Sequence, residues 1–246
     1  MSALQVKSVS KHFGGLQALR GISFEMDNEI LGLIGPNGAG KTTLFNVISG
    51  FLSPSAGEVF YAGKAIHRLH PHQVVELGLA RTFQIVKPFR DLTVLDNVLS
   101  GFGAPIYPTA KVFLQRYHQP AVVREAEKLL ELSGLTAWER ATAGELPIGL
   151  QRRLEIARAL ATRPRLLLLD EPAAGLVAQE VSELAGLIRT LYQQGIAVMV
   201  IEHNMSFAMN LCQRILVLVQ GELLLDGAPG EVQANPQVIN AYLGQE

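Results

Sequence analysis

Eight residues, Gly35 to Thr42 (GPNGAGKT), hold the densest chemistry in the chain. They fit G-x-x-x-x-G-K-[ST] and stand between an apolar run, ILGLI at 30–34, and a stretch of helical character from about 40 to 49. The glycines let backbone N–H groups curl inward around phosphate oxygens, and a helix amino terminus behind them adds partial positive charge. Lys41 is placed to bridge β- and γ-phosphates, and the Thr42 hydroxyl to bind Mg²⁺. A second centre is LLLLDE at 166–171. Four leucines predict a strand buried on both faces, ending in two carboxylates at its C-terminal edge, where α/β sheets bind ligands. Asp170 is expected to hold Mg²⁺ through water, and Glu171 to polarise an attacking water as general base. Alone, such an acidic pair equally reads as a helix cap; beside a phosphate loop the hydrolytic reading prevails.

Three single residues join this set more weakly. Gln84 in RTFQ can reach the Mg²⁺ or the attacking water, although a lone glutamine is more often a surface residue. His203 follows the apolar run AVMVI, a position suited to touching a γ-phosphate. Phe13 in KHFGG is either an adenine-stacking ring or a core aromatic. The cluster His67, His70 and His72 lies in a polar, proline-containing stretch without a cysteine or acidic ligand, so it reads as a solvated loop rather than a metal site.

The elements that must position these residues follow from periodicity. Alternation at 4–9 and 22–26 predicts strands of a half-exposed antiparallel sheet, with Asp27-Asn28 as a turn. Further strands are predicted at 57–61 and 79–83, then helices at 94–101, 120–133 and 150–161, with a loop at 101–120. Buried-type strands return at 166–170, 197–202 and 215–219, around a helix at 179–194; a turn at Gln220-Gly221, a strand at 222–226 and short helices complete the chain. Strands, a helical block and then βαβ units imply a mostly parallel α/β core with an inserted helical lobe. The expected division is a core of about 1–86 and 162–246 and a helical subdomain of about 87–161, within one domain.

Bulk composition narrows the function classes. With 246 residues and 48% hydrophobic content the chain can bury a large core. A net charge of −1 gives no electrostatic footprint for nucleic acid. The single cysteine, Cys212, excludes an internal disulfide framework and reads as a buried thiol. Apolar runs of four or five residues fall far short of the ~20 that span a bilayer, and the amino terminus lacks a signal-peptide pattern. A cytosolic protein is expected, unless a partner tethers it.

Taken in order over nearly the whole length, these motifs resemble the ATP-binding subunit of an ABC transporter. The resemblance implies a P-loop NTPase of RecA-like core, with an antiparallel β subdomain and an inserted α-helical subdomain, using ATP and Mg²⁺. It implies adenine stacking by Phe13 and phosphate contacts from Gly35, Pro36, Asn37, Gly38, Ala39, Gly40, Lys41, Thr42 and Thr43. Thr42, Gln84 and Asp170 become the Mg²⁺ set, Glu171 the base, and His203 the switch histidine. Finer wording, GLARTFQ before LTVLDNV, then QRRLEIARAL, EPAAGL, IEHNM and INAYLG, is similar to the importers of branched-chain and hydrophobic amino acids. Relatives in that group serve urea and amides, and the lipopolysaccharide-export ATPase shares part of the wording. The implied partners are a second ATPase subunit, membrane permease subunits and, indirectly, a periplasmic or extracellular solute-binding protein. The implied location is the cytoplasmic face of the cell membrane, peripheral through the permease.

In that family two nucleotide-binding subunits face head to tail, and each ATP lies between the phosphate loop of one and the signature of the other. Every motif serving this chain's own ATP is intact. The two that serve a partner's ATP are altered: Leu146, Pro147, Ile148, Gly149 and Leu150 replace LSGGQ, and the D-loop Gly175, Leu176, Val177 lacks its usual Asp or Asn. Pro147 offers neither hydroxyl nor N–H. The implied arrangement is an unequal pair with a different ATPase chain, a homodimer or a non-hydrolysing regulatory subunit being the alternatives.

Overall fold

The computed structural model describes residues 3–83, 88–103 and 119–243. The chain opens with strands β1 (Leu4–Phe13), β2 (Leu16–Met26) and β3 (Ile30–Ile34), then helix α1 (Lys41–Ile48). β4 (Ala56–Tyr61), β5 (Lys64–Ala65), α2 (Pro71–Glu76) and β6 (Leu79–Arg81) follow. The helices α3 (Val94–Phe102), α4 (Pro120–Leu132) and α5 (Ile148–Leu160) form a block. The chain then alternates β7 (Leu166–Asp170), α6 (Ala178–Gln193), β8 (Ala197–Ile201), α7 (Met205–Leu211) and β9 (Arg214–Val219). It ends in β10 (Glu222–Gly227), α8 (Pro229–Ala234) and α9 (Pro236–Leu243).

Among the described residues the strands form two sheets. One is antiparallel, in the order β2-β1-β4-β5; the other runs β10-β9-β3-β8-β7-β6, parallel except for β10. The parallel strands are buried on both faces, and alternate residues divide between two cores. Leu31, Leu33, Leu166, Leu168, Met199 and Ile201 face α1 and the antiparallel sheet. Ile34, Leu167, Leu169, Val198 and Val200 face α5, α6 and α7. Clamped between two sheets, α1 fixes the phosphate loop that precedes it. The α3–α5 block has its own core of Val94, Val98, Leu99, Leu130, Leu146 and Leu154. α5 serves both sides, since Ile156 and Leu160 pack on the parallel sheet while Leu154 and Ala157 face the block.

The structure amends several expected elements. β1 and β2 run on through Lys11↔Leu19, His12↔Gln17 and Phe13↔Leu16, past the end of the alternation, because the ladder continues where the side chains no longer bury. The stretch of His67, His70 and His72, read as a solvated loop, runs into α2, with Pro71 in its first turn and the Gln73 side chain accepting from the His70 N–H at 2.9 Å. His67 Nδ1 accepts from Val59 N–H at 3.4 Å, so two of the three clustered histidines have local structural partners. α5 begins at Ile148, two residues earlier than predicted, which takes Gly149 and Leu150 into its first turn. The predicted 101–120 loop lies largely outside the described residues. Cys212 is buried, and burial pushes its thiol up to about 12. Among the described residues no helix is long and apolar enough to cross a membrane.

Candidate active site

The phosphate loop leaves the carboxyl end of β3, which lies between β8 and β9 in the middle of the parallel sheet. Gly40 takes φ 102°, and a Cβ there would stand 2.6 Å from the Ala18 carbonyl, so no other residue fits. Lys41 is 5% exposed and folds back onto the loop, donating to the carbonyls of Gly35 at 2.6 Å and Pro36 at 2.8 Å. Burial lowers its pKa, opposed by the charges of Glu171 and Asp170. The loop therefore encloses its own cation before any phosphate arrives.

A cavity of about 400 Å³ opens over this loop, and its wall brings together Phe13, Asn37, Lys41, Thr42, Glu171 and His203. Gly38, Ala39, Gly40 and Thr43 complete its base. Phe13 ends β1 beside the hairpin turn and is 45% exposed, with the Lys11 ammonium 5.3 Å from its ring centre. That exposure favours the stacking reading over the core one. Glu171 follows β7 in the left-handed region, at φ 48°, where a non-glycine residue stores about 1–3 kcal/mol. Its N–H is tied to the Ile201 carbonyl at 3.0 Å, and its Oε1 lies 2.6 Å from His203 Nε2. The strained backbone aims the carboxylate, and the imidazole holds it.

Asp170, one residue earlier, points differently. It is 2% exposed and does not line the cavity; its Oδ2 accepts from Arg81 Nη2 at 2.8 Å. Burial raises its pKa, while the Arg81 hydrogen bond and charge pull it down. Its other oxygen, Oδ1, is buried with no hydrogen-bond partner among the described residues. Gln84 lies outside the described residues.

The residues expected to serve a partner's nucleotide do not line this cavity. They form a separate patch in which signature and D-loop are packed together. Gly149 lies so close to the Glu180 carboxylate that a Cβ would collide with it. The same carboxylate accepts from the Val177 N–H at 3.0 Å and caps α6. Pro147 is exposed, Ile148 is 46% exposed and Val177 65%. Leu150 turns inward onto the core of the α3–α5 block, while Gln151 donates to the Leu146 carbonyl at 2.7 Å. Leu150 is thus a packing residue, not an exposed polar position made apolar.

Three supporting residues escaped the sequence reading. Arg81 holds Asp170. Glu180 joins signature to D-loop, and its spacing from Val177, three residues on at a helix start, was the available signal. Glu202, buried at 3% exposure, accepts from the N–H groups of Ala173 (2.9 Å), His203 (3.2 Å) and Asn204 (3.3 Å), fixing the backbone just after Glu171 and at His203. Its pKa is raised by burial despite these bonds.

A phosphate loop at the centre of a parallel sheet, with a histidine-held carboxylate across the cavity, defines a nucleotide-hydrolysing P-loop protein. The comparisons narrow the class. The family model for ABC transporters matches residues 19–174, and one for branched-chain amino acid ATP-binding cassette transporters matches 222–246. The chain belongs to the ABC transporter ATP-binding family and is an ATPase of that family. It is 39% identical, over 98% of both chains, to the high-affinity branched-chain amino acid transport ATP-binding proteins BraF of Pseudomonas aeruginosa and LivG of Escherichia coli. A nucleotide-free ATP-binding cassette from an ABC transporter matches at 32% identity over all of both chains, with a TM-score of 0.90. A cassette solved in its ADP conformation matches at 32% identity over all of both chains, with a TM-score of 0.89. The α/β class with its P-loop core is as expected, and the domain is a nucleotide-binding one.

Proposed function

We propose that this chain hydrolyses ATP at its own phosphate loop to drive uptake of branched-chain or other hydrophobic amino acids, as one half of an unequal nucleotide-binding pair. The observation that carries the reading is the convergence of Phe13, the loop, Glu171 and His203 on one cavity. Relatives named for branched-chain amino acid transport support the cargo class.

In this reading Phe13 stacks on adenine, and the N–H groups of residues 35–43 surround the phosphates. Lys41 exchanges the Gly35 and Pro36 carbonyls for β- and γ-phosphate oxygens. Glu171 accepts a proton from the attacking water as the terminal P–O bond breaks, releasing ADP and phosphate. His203, hydrogen-bonded to Glu171, keeps that carboxylate aimed at the water. A magnesium ion fits the residues present: Asp170 Oδ1 is a buried oxygen without a hydrogen-bond partner among the described residues, and Thr42 lines the cavity. Thr42, Gln84 and, through water, Asp170 would hold it, and it would neutralise charge on the phosphates.

The inequality rests on the second patch. Pro147 has no N–H or hydroxyl to give a partner's γ-phosphate, and Ile148 and Val177 present apolar surface. The implied neighbour is a second ATPase subunit with a fuller signature. Permease subunits are assigned to a groove of about 380 Å³ lined by Phe83, Phe89 and Arg158, with Pro88, Phe89 and Arg90 as contacts. Buried Asn97 braces that segment by bonding both the N–H (2.9 Å) and the carbonyl (3.0 Å) of Phe89. The same reading places the chain at the cytoplasmic face of the membrane. It also divides the chain into a core of about 1–86 and 162–246 and a lobe of about 87–161.

The test is to place Glu171→Gln in this chain and the equivalent change in its partner, separately. The expected result is near-complete loss of ATPase from the change here and a smaller loss from the other. Equal losses, with both nucleotides hydrolysed at like rates, would defeat the inequality. Cooperative ATPase activity from this chain alone would remove the need for a different partner.

A further inference from the structure

One buried side chain spans the distance between the docking groove and the cation-binding carboxylate. Arg81 ends β6 and its side chain is 5% exposed. Nη2 donates to Asp170 Oδ2 at 2.8 Å, while Nη1 donates to Asn46 Oδ1 at 2.7 Å and Ser49 Oγ at 3.0 Å, both on the helix side of the phosphate loop. The rings of Phe83, Phe45 and Phe51 stand 5.3, 5.6 and 5.9 Å from the guanidinium carbon. On its outer side Arg81 forms part of the groove wall with Phe83, Phe89, Glu155 and Arg158.

The pairing is one-sided. A guanidinium matches a carboxylate best with two parallel bonds, which would satisfy both oxygens. Here Asn46 and Ser49 take Nη1, so Asp170 is gripped by Oδ2 alone; among the described residues its Oδ1, like Arg81 Nε, is buried without a hydrogen-bond partner. A pair serving only to hold strands together has no reason to leave a buried carboxylate oxygen unsatisfied. A pair that holds one oxygen so that the other can meet a cation does.

We propose that Arg81 is a positioning residue: it fixes Asp170 through one oxygen, presents the other to the divalent cation of the nucleotide, and transmits the filling of the groove to that carboxylate. The first half concerns this chain's own residues; the second rests on the docking reading above.

The experiment measures binding of a fluorescent, non-hydrolysable ATP analogue to the full chain, in EDTA and across a Mn²⁺ titration. Arg81→Gln is expected to raise the half-saturating Mn²⁺ concentration by about 10–100-fold, the usual cost of losing a partner that orients a metal-binding group, with affinity in EDTA unchanged. Arg81→Lys restores part of the loss, since one ammonium can reach Asp170 but cannot replace the fork. Equal weakening with and without metal, or an unchanged Mn²⁺ dependence, overturns the proposal. Should Arg81→Gln fail to fold, Asn46→Leu with Ser49→Ala removes both anchors of Nη1 and is expected to shift Mn²⁺ dependence in the same direction, and its failure to do so counts equally against the proposal. For the groove, Thr162→Cys is labelled with a bulky maleimide, native Cys212 being buried. The label is expected to shift the Mn²⁺ half-saturation when Arg81 is present and not in Arg81→Lys; no shift in either refutes the link. Transport retained by Phe89→Glu refutes the docking reading separately, leaving the Mn²⁺ result on Arg81→Gln to stand alone.

Discussion

The cavity over the phosphate loop and the patch around Gly149 are both assembled by a carboxylate bonded to backbone N–H groups, buried at the cavity and half-exposed at the patch, yet they present opposite chemistry. At the cavity, Glu202 ties the backbone at Ala173, His203 and Asn204, and what it exposes is polar: Glu171, His203, Lys41 and Thr42. At the patch, Glu180 ties Val177 beside Gly149, and what it exposes is apolar: Ile148 and Val177, with Pro147 beside them. The second region thus pairs an ordered scaffold with an apolar face. In the unequal-pair reading proposed above, such a face meets a partner's nucleotide but contributes little to its turnover.

Substitutions can sharpen this contrast, beginning with the largest effect. His203→Ala removes the partner that aims Glu171, and misplacement of a reacting group by about 1 Å costs ~10²-fold in rate. The expectation is a fall of that size in kcat for ATP hydrolysis with nucleotide affinity little changed, measured by steady-state phosphate release and equilibrium binding. A kcat within twofold of the parent would mean that the 2.6 Å contact with Glu171 is incidental. In the assembled pair, Pro147→Ser restores a hydroxyl and an N–H at an exposed position. A transition-state donor is worth about 10²–10³-fold where it is fully preorganised, so about tenfold faster turnover at the slow site is a reasonable fraction. Single-turnover kinetics with one nucleotide per pair would report it, and no change would break the contrast.

The legible part of the site was the part written in local sequence. GPNGAGKT and LLLLDE each carry their chemistry within eight residues or fewer, and the parallel strands declared themselves as unbroken apolar runs. Arg81 and Glu202 were silent because their meaning lies across the fold, whereas Glu180 left a local signal at the start of α6. Arg81 reaches Asp170, 89 residues away, and Glu202 reaches Ala173, 29 residues away. A lone arginine or glutamate at a strand edge has no spacing that announces such a contact. At Leu150 motif and fold point to different roles: the position replaces the last residue of LSGGQ, and its half-buried side chain packs against the core of the α3–α5 block. α2 was missed because histidine and proline read as loop, although Pro71 starts the helix and Gln73 closes its cap.

Two substitutions at the patch separate scaffold from chemistry, and their effects are on stability. Gly149→Ala forces the Glu180 carboxylate away from its place, and with it the bond that caps α6 at Val177. Loss of such a cap costs about 0.5–2 kcal/mol, which for a chain of this size lowers the unfolding temperature by roughly 1–8 °C. Glu180→Gln in the same chain should then add little, because the two changes act through one contact. Leu150→Gln, the change that would restore the family's signature residue, is expected to cost about 1 kcal/mol, since a half-buried leucine gains about half of the 1.5–3 kcal/mol of full burial. Pro147→Ser places a capping hydroxyl at the N-cap of α5 and should not lower the unfolding temperature. If Leu150→Gln proves neutral in thermal unfolding and alone speeds the slow site, Leu150 belongs to the chemistry after all. If it destabilises without speeding turnover, the departure at 150 is packing, and the loss of function at the patch narrows to Pro147 and Val177.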